Sequence, residues 1–182
     1  MDLKKLLKRL AKKITKYKID YMIIGGQAVL LYGEPRLTKD IDITLSLNPT
    51  QYKKLEKIVK ELKLEIIPPN PEQFVKETFV LPTLDPKTNM RIDFIMSFSD
   101  YEKQAFKRTN KIKLDNIEIN YASLEDIIIH KIISGRPRDI EDIKNILLKN
   151  PNFDREYINY WLSEFSSITE KNLVLLFENL VK

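Results

Sequence analysis

The stretch GGQAVLLYGEPRLTKDIDI, from Gly25 to Ile43, decides how the chain folds. Ahead of it, Tyr21 to Ile24 is a short apolar run that reads as a buried strand ending at the glycine pair. Glycine lets the backbone turn sharply and brings N–H groups close to a partner with no Cβ in the way. Gln27 to Tyr32 then reads as a short helix that stops near Gly33, because Glu34-Pro35 disfavours further helix. Ile41 to Leu47 follows as a second strand. Strand, glycine turn, helix, strand is the expected local order.

Asp40 and Asp42 stand two apart at the start of that second strand, where period-two geometry points alternate side chains the same way. Two carboxylates held this close repel each other unless a cation lies between them. A third acid, Asp93, lies in the strand-like run MRIDFIM between Ile92 and Phe94, where an unpaired buried carboxylate is expensive. If the two strands are neighbours, three carboxylates converge. The choice of Asp93 over Asp85 or Asp100 rests on this strand reading. Such an all-oxygen set suits a hard cation, Mg²⁺ or Mn²⁺. It can hold two ions, one activating a hydroxyl and one neutralising a departing pyrophosphate, with Asp93 also able to accept the proton. Gly25 and Gly26, at a helix N-terminus, are placed to receive phosphate oxygens. With no cysteine and a single histidine, the chain can build neither a thiolate site nor an all-histidine one.

Outward from this stretch, residues 2–17 read as an amphipathic helix on the spacing of Leu3, Leu6, Leu7, Leu10, Ile14 and Tyr17. Asn48-Pro49 starts a helix running to about Lys63. Strands are expected at 65–67, 79–84, 90–96, 111–114 and 117–121, with helices at 72–77 and 100–108. Asp115-Asn116 is a hairpin turn. After Ser123 everything is helical: 123–134 closed by Gly135, then 137–149, 154–165 and 169–181. The fold class is therefore α/β (α+β), a mixed-sheet core over residues 1–122 with a helical C-terminal region over 123–182 packed on it. At 182 residues there is room for a core and a helical extension, not for two full domains.

Net charge is +5 and local: residues 1–18 hold eight Lys or Arg and one acid, leaving the remainder close to neutral. A patch of this kind attracts polyphosphate or nucleic acid, or is simply a solvated helix face. No run reaches the about 18 apolar residues of a membrane span, and the lysine-rich N-terminus lacks the apolar core of a signal peptide, so a cytoplasmic location away from any membrane is expected.

Gly25-Gly26, thirteen residues, then Asp40-Ile41-Asp42 resembles the nucleotidyltransferase superfamily related to DNA polymerase beta. Within it, the run Arg36 to Asp42 is similar to abortive-infection toxin nucleotidyltransferases and their bacterial and archaeal relatives, as is HKIISGRPRDIEDI from His130 to Ile143. The resemblance spans residues 20–145 and implies that Lys131 contacts the triphosphate and that Asp139 is an active-site or site-bracing carboxylate. Arg36 either faces the nucleotide or pairs with Asp40 or Asp139. Many superfamily members place a serine after the first glycine, whereas here Gly-Gly-Gln offers no hydroxyl, leaving backbone contacts to the phosphates. The implied activity is transfer of NMP from an NTP to a hydroxyl acceptor. The basic first helix favours RNA, such as the 3′ end of a tRNA, and the resemblance adds a toxin role with an antitoxin partner. The alternative is a catalytically silent binding or regulatory module of a toxin–antitoxin pair.

Overall fold

The computed structural model describes residues 3–35 and 38–181. These form two compact units, residues 3–27 with 38–122, and residues 28–35 with 123–181.

The first unit holds a seven-stranded mixed sheet: β1 (Tyr21–Ile24), β2 (Asp40–Ser46), β3 (Glu65–Ile66), β4 (Val80–Asp85), β5 (Met90–Ser97), β6 (Asn110–Leu114) and β7 (Ile117–Tyr121). Their spatial order is β3-β4-β5-β2-β1-β7-β6. β2 runs parallel to β5 and β1 parallel to β7; the other neighbours are antiparallel. One face is apolar: Ile41, Ile43 and Leu45 of β2 and Ile92 and Phe94 of β5 are fully buried. Helix α1 (Leu3–Lys16) lies on this face, burying Leu6, Leu7, Leu10, Ala11 and Ile14. Arg9 reaches from it to the buried Asp85 of β4 at 2.5 Å. Lys8 pairs with Asp115 at the β6–β7 turn at 2.5 Å and Lys13 with Glu61 at 2.9 Å. Burial alone would raise the Asp85 carboxyl, but bonds from Thr88 and Arg9 hold it below its ordinary value.

Asn48 caps the next helical stretch, accepting from the Thr50 N–H at 3.0 Å. A 3₁₀ turn at Pro49–Gln51 precedes α3 (Tyr52–Glu61), so the expected single helix is divided where proline tightens the first turn. Helices α4 (Pro71–Thr78) and α5 (Asp100–Lys107) complete this unit, apart from the start of α2 (Gly25–Tyr32).

The second unit contains α6 (Leu124–Ser134), α7 (Pro137–Lys149), α8 (Arg155–Thr169) and α9 (Leu173–Val181), together with the remainder of α2. Ser123 caps α6, accepting from the Asp126 N–H at 3.1 Å and donating to Asp126 Oδ2 at 2.7 Å. The other oxygen of this fully buried carboxylate accepts from the Tyr157 hydroxyl of α8 at 2.8 Å. Gly135 closes α6 in the left-handed conformation. Lys149 donates to Gly33 O at 3.1 Å and Asn150 to Tyr32 O at 2.8 Å, which satisfies open carbonyls at the end of α2. Helix α8 continues past Phe165 to Thr169, so the serine pair does not break it; the Ser166, Ser167 and Thr169 hydroxyls turn back to the Leu162, Glu164 and Phe165 carbonyls. Among the described residues no helix is long and apolar enough to cross a membrane.

Tyr157→Phe removes a donor to a buried carboxylate and is expected to lower stability by about 1.5–3 kcal/mol, read from urea denaturation of the variant against the parent chain.

Candidate active site

Parallel pairing of β2 with β5 aligns Asp40 with Arg91 and Asp42 with Asp93. Residues aligned this way share a face, so Asp40, Asp42, Arg91 and Asp93 all stand on the side opposite the apolar core. Asp85 belongs to the other face, since β4 pairs Thr83 with the buried Ile92, and its carboxylate is engaged by Arg9. Asp100 is on α5, exposed, and paired with Lys103 at 2.8 Å. Of the three acids weighed from sequence, Asp93 is the one in register with Asp42.

The antiparallel β1–β2 pairing sets Ile24 opposite Asp42, so the chain enters α2 at Gly25 directly beside that aspartate. Gly25 has φ +62°, a conformation glycine adopts without penalty. A Cβ there would collide with Asp42 Oδ2 and lie 3.0 Å from its Cγ. The carboxylate thus rests against the opening backbone of the helix, where positive N–H dipoles favour an anion. Gly26 is buried in the same first turn. Gln27, almost fully buried, donates its side-chain amide to the Thr38 hydroxyl, tying α2 to the approach to β2. That is where the side chain lacking a hydroxyl goes.

Asp93, 18% exposed, accepts from Arg91 Nε at 2.8 Å. Donating to Asp93 raises the guanidinium above its ordinary value, with the charges of Asp93, Asp40 and Asp42 adding to the effect. Asp42 thus lies against Gly25, and Asp93 is paired with Arg91. Among the described residues no three acidic side chains close into a ready-made metal cage. The donor set still fits the expected ion, since three carboxylates on one face of adjacent strands supply only hard oxygen ligands. Asp40, Asp42 and Asp93 are the residues that would hold it. Sequence reasoning passed over Arg91, although the alternation that selects Asp93 places Arg91 on the same face.

Arg36 lies outside the described residues. In the second unit, Lys131 is buried and donates to Asp139 Oδ1 at 2.8 Å and Asp142 Oδ2 at 2.6 Å, pinning α6 to α7. Arg136 adds a contact to Asp139 Oδ2 at 3.2 Å. Burial would raise the Asp139 carboxyl; bonds from Lys131 and Ser134 and the charges of Lys131 and Arg136 outweigh it and hold the group below its usual value. Asp142 enters this network through its i,i+3 relation to Asp139 on α7.

A mixed sheet carrying an Asp-x-Asp strand beside a third aspartate strand, with a glycine pair opening a helix next to it, is the frame of a nucleotidyltransferase. The family described as nucleotidyltransferase of unknown function (DUF6036) matches residues 1–174, and the chain belongs to it. No curated protein matches the chain. Among solved structures, an antigenic nucleotidyltransferase-like protein from Paracoccidioides brasiliensis is 18% identical, covering 92% of this chain and 88% of that one at a TM-score of 0.58. The antibiotic-resistance factor ANT(2'')-Ia is 14% identical over 90% of this chain and 91% of its own, with a TM-score of 0.62. The lincosamide antibiotic adenylyltransferase LnuA, in its lincomycin-bound form, is 18% identical over 78% and 94%, with a TM-score of 0.54. These likenesses establish a shared fold.

Two substitutions probe the geometry. Gly135→Ala bears only the left-handed backbone, about 1–2 kcal/mol, whereas Gly25→Ala adds the collision with Asp42 and is expected to exceed it in a denaturant titration of both variants. Lys131→Met removes the buried cation that Asp139 and Asp142 share, and is expected to cost about 3 kcal/mol. Because the Asp139 carboxyl is depressed in the folded state, the parent chain has this stabilisation in full above the unfolded carboxyl value of about 3.9. It loses it as pH falls through the lower folded value, which urea titrations at descending pH will show.

Proposed function

We propose that this chain is a Mg²⁺- or Mn²⁺-dependent nucleotidyltransferase that moves NMP from an NTP to a hydroxyl acceptor in the cytoplasm and releases pyrophosphate. The observation that carries this reading is the parallel register setting Asp42 beside Asp93, with Asp40 one pleat away on the same face. Asp40, Asp42 and Asp93 hold the ion, which when bound supplies Lewis acidity to the hydroxyl and neutralises the departing phosphates. Asp93 is also the acceptor for the hydroxyl proton. Gly25 and Gly26 present the opening turn of α2 to the phosphates, a cradle that Asp42 now leans over. Lys131 is the cation assigned to the triphosphate by family resemblance, and Arg36 is a further candidate charge neutraliser that either faces the nucleotide or pairs with Asp40 or Asp139.

For the acceptor, the basic α1 supports RNA, such as the 3′ end of a tRNA, and with it a toxin role countered by an antitoxin partner. A second reading, a small hydroxylated molecule, is favoured by the pairing of Lys8, Arg9 and Lys13 with acids of the same unit, which reduces the charge α1 offers a polyanion. It also agrees with the antibiotic adenylyltransferase named among the structural neighbours.

The test is incubation with labelled NTPs, Mg²⁺ and either total RNA or a panel of small hydroxylated compounds including antibiotics. Transfer to one acceptor class is expected, falling by more than about a hundredfold in the Asp40→Ala, Asp42→Ala double variant and in Asp93→Asn. No transfer to either class by the parent chain would refute the enzymatic reading.

A further inference from the structure

Arg91 stands one pleat from Asp93 on β5 and is aligned with Asp40 on β2, so it shares a face with all three acids. Its Nε donates to Asp93 Oδ1 at 2.8 Å. The guanidinium cannot lose its charge, and its own strand holds it on the acid face whenever the protein is folded. Three carboxylates on one face repel, and Arg91 is a cation that the described residues place among them. A divalent ion seeking these oxygens therefore competes with a positive group already there. The competition is uneven. The Arg91 side chain is 52% exposed, and an exposed guanidinium–carboxylate pair is weak, whereas a hard divalent ion gains from every carboxylate oxygen it collects. Rotation about the arginine stem carries the charge off the acids into solvent without moving the backbone.

We propose that Arg91 is the built-in counter-cation of the Asp40–Asp42–Asp93 face and yields its place when a divalent ion binds there. This rests on the metal-dependent reading given above. Arg91 is on this account a positioning residue: it keeps the acids compatible with one another in the metal-free protein and sets how tightly metal binds. It differs from Lys131, whose ammonium is buried and fixed by two carboxylates.

Calorimetric titration with Mn²⁺ alone, free of nucleotide, separates the possibilities. Arg91→Gln is expected to bind Mn²⁺ about two- to fivefold more tightly than the parent chain, the gain released by removing an exposed charged competitor. Arg91→Met, which keeps most of the stem, should do the same, and Arg91→Lys, which keeps the charge, should stay near the parent value. The gain should disappear when Asp93→Asn is combined with Arg91→Gln and compared with Asp93→Asn alone. Equal or weaker binding by both neutral variants, with the parent chain binding Mn²⁺, overturns the exchange and leaves the metal reading intact. Absence of Mn²⁺ binding by the parent chain and the variants alike, even with a non-hydrolysable NTP analogue added, overturns the metal reading and the exchange with it. Circular dichroism melting of each variant confirms that the compared proteins are folded.

Discussion

Parallel pairing of β2 with β5 puts two aspartates side by side, and the arrangement of the sheet around them makes that tolerable. Electrostatics alone would drive Asp42 and Asp93 apart. They are kept in register by the opposite face, where Ile41, Ile43, Ile92 and Phe94 are fully buried. A shift of one residue in either strand would turn those side chains outward and its acid inward, so the apolar core enforces the juxtaposition of charge. Relief comes from neighbours that the same topology supplies. The antiparallel entry of β1 delivers the start of α2 to Asp42, and the pleat of β5 delivers Arg91 to Asp93.

Much of this is legible in period-two patterning, and its limits follow from what a period can encode. Alternation shows which residues of a strand share a face, so Asp40 with Asp42, and Arg91 with Asp93, are readable from the chain alone. It does not show which strand lies next to which. Between β2 and β5 come a 3₁₀ turn, two helices and two strands, and β4 pairs with β5 on the side away from β2. Asp85 looks like Asp93 in composition and differs only in the face that hairpin register assigns it. Arg91 is silent in the sequence for a different reason: an arginine near the end of a strand reads as solvated until a neighbouring strand brings acids beside it.

The helical unit shows the same division. Ser123 and Gly135 announce the ends of α6 through side-chain chemistry that acts within a few residues, and both caps are formed. Long-range polar pairings leave no such mark. Asn150 and Lys149 complete the carbonyl end of α2 across more than a hundred residues of chain, which is why residues 28–35 belong with the later helices. Lys131, Asp139 and Asp142 read in the sequence as charges on helix surfaces yet form a buried network. Burial changes their energetic weight. On the surface such a pair contributes little, whereas loss of one partner inside leaves an uncompensated charge.

Helix α1 shows how the meaning of a charge depends on what it faces. Its apolar stripe docks on the sheet, and Lys8, Arg9 and Lys13, at the margins of that stripe, answer acids of their own unit. Part of the N-terminal basicity is therefore internal counter-charge to Asp115, Asp85 and Glu61, not available to an outside anion. Lys5, Lys12 and Lys16 are exposed and fall along one side of the helix at intervals of seven and four residues. A stripe of that length attracts phosphate charge in proportion to the few cations it holds, and salt weakens it. It adds affinity for any polyanion without distinguishing one from another. Selection among acceptors then has to come from shape and directional hydrogen bonds, which fix an acceptor hydroxyl in place and are far less sensitive to salt than the pull of α1.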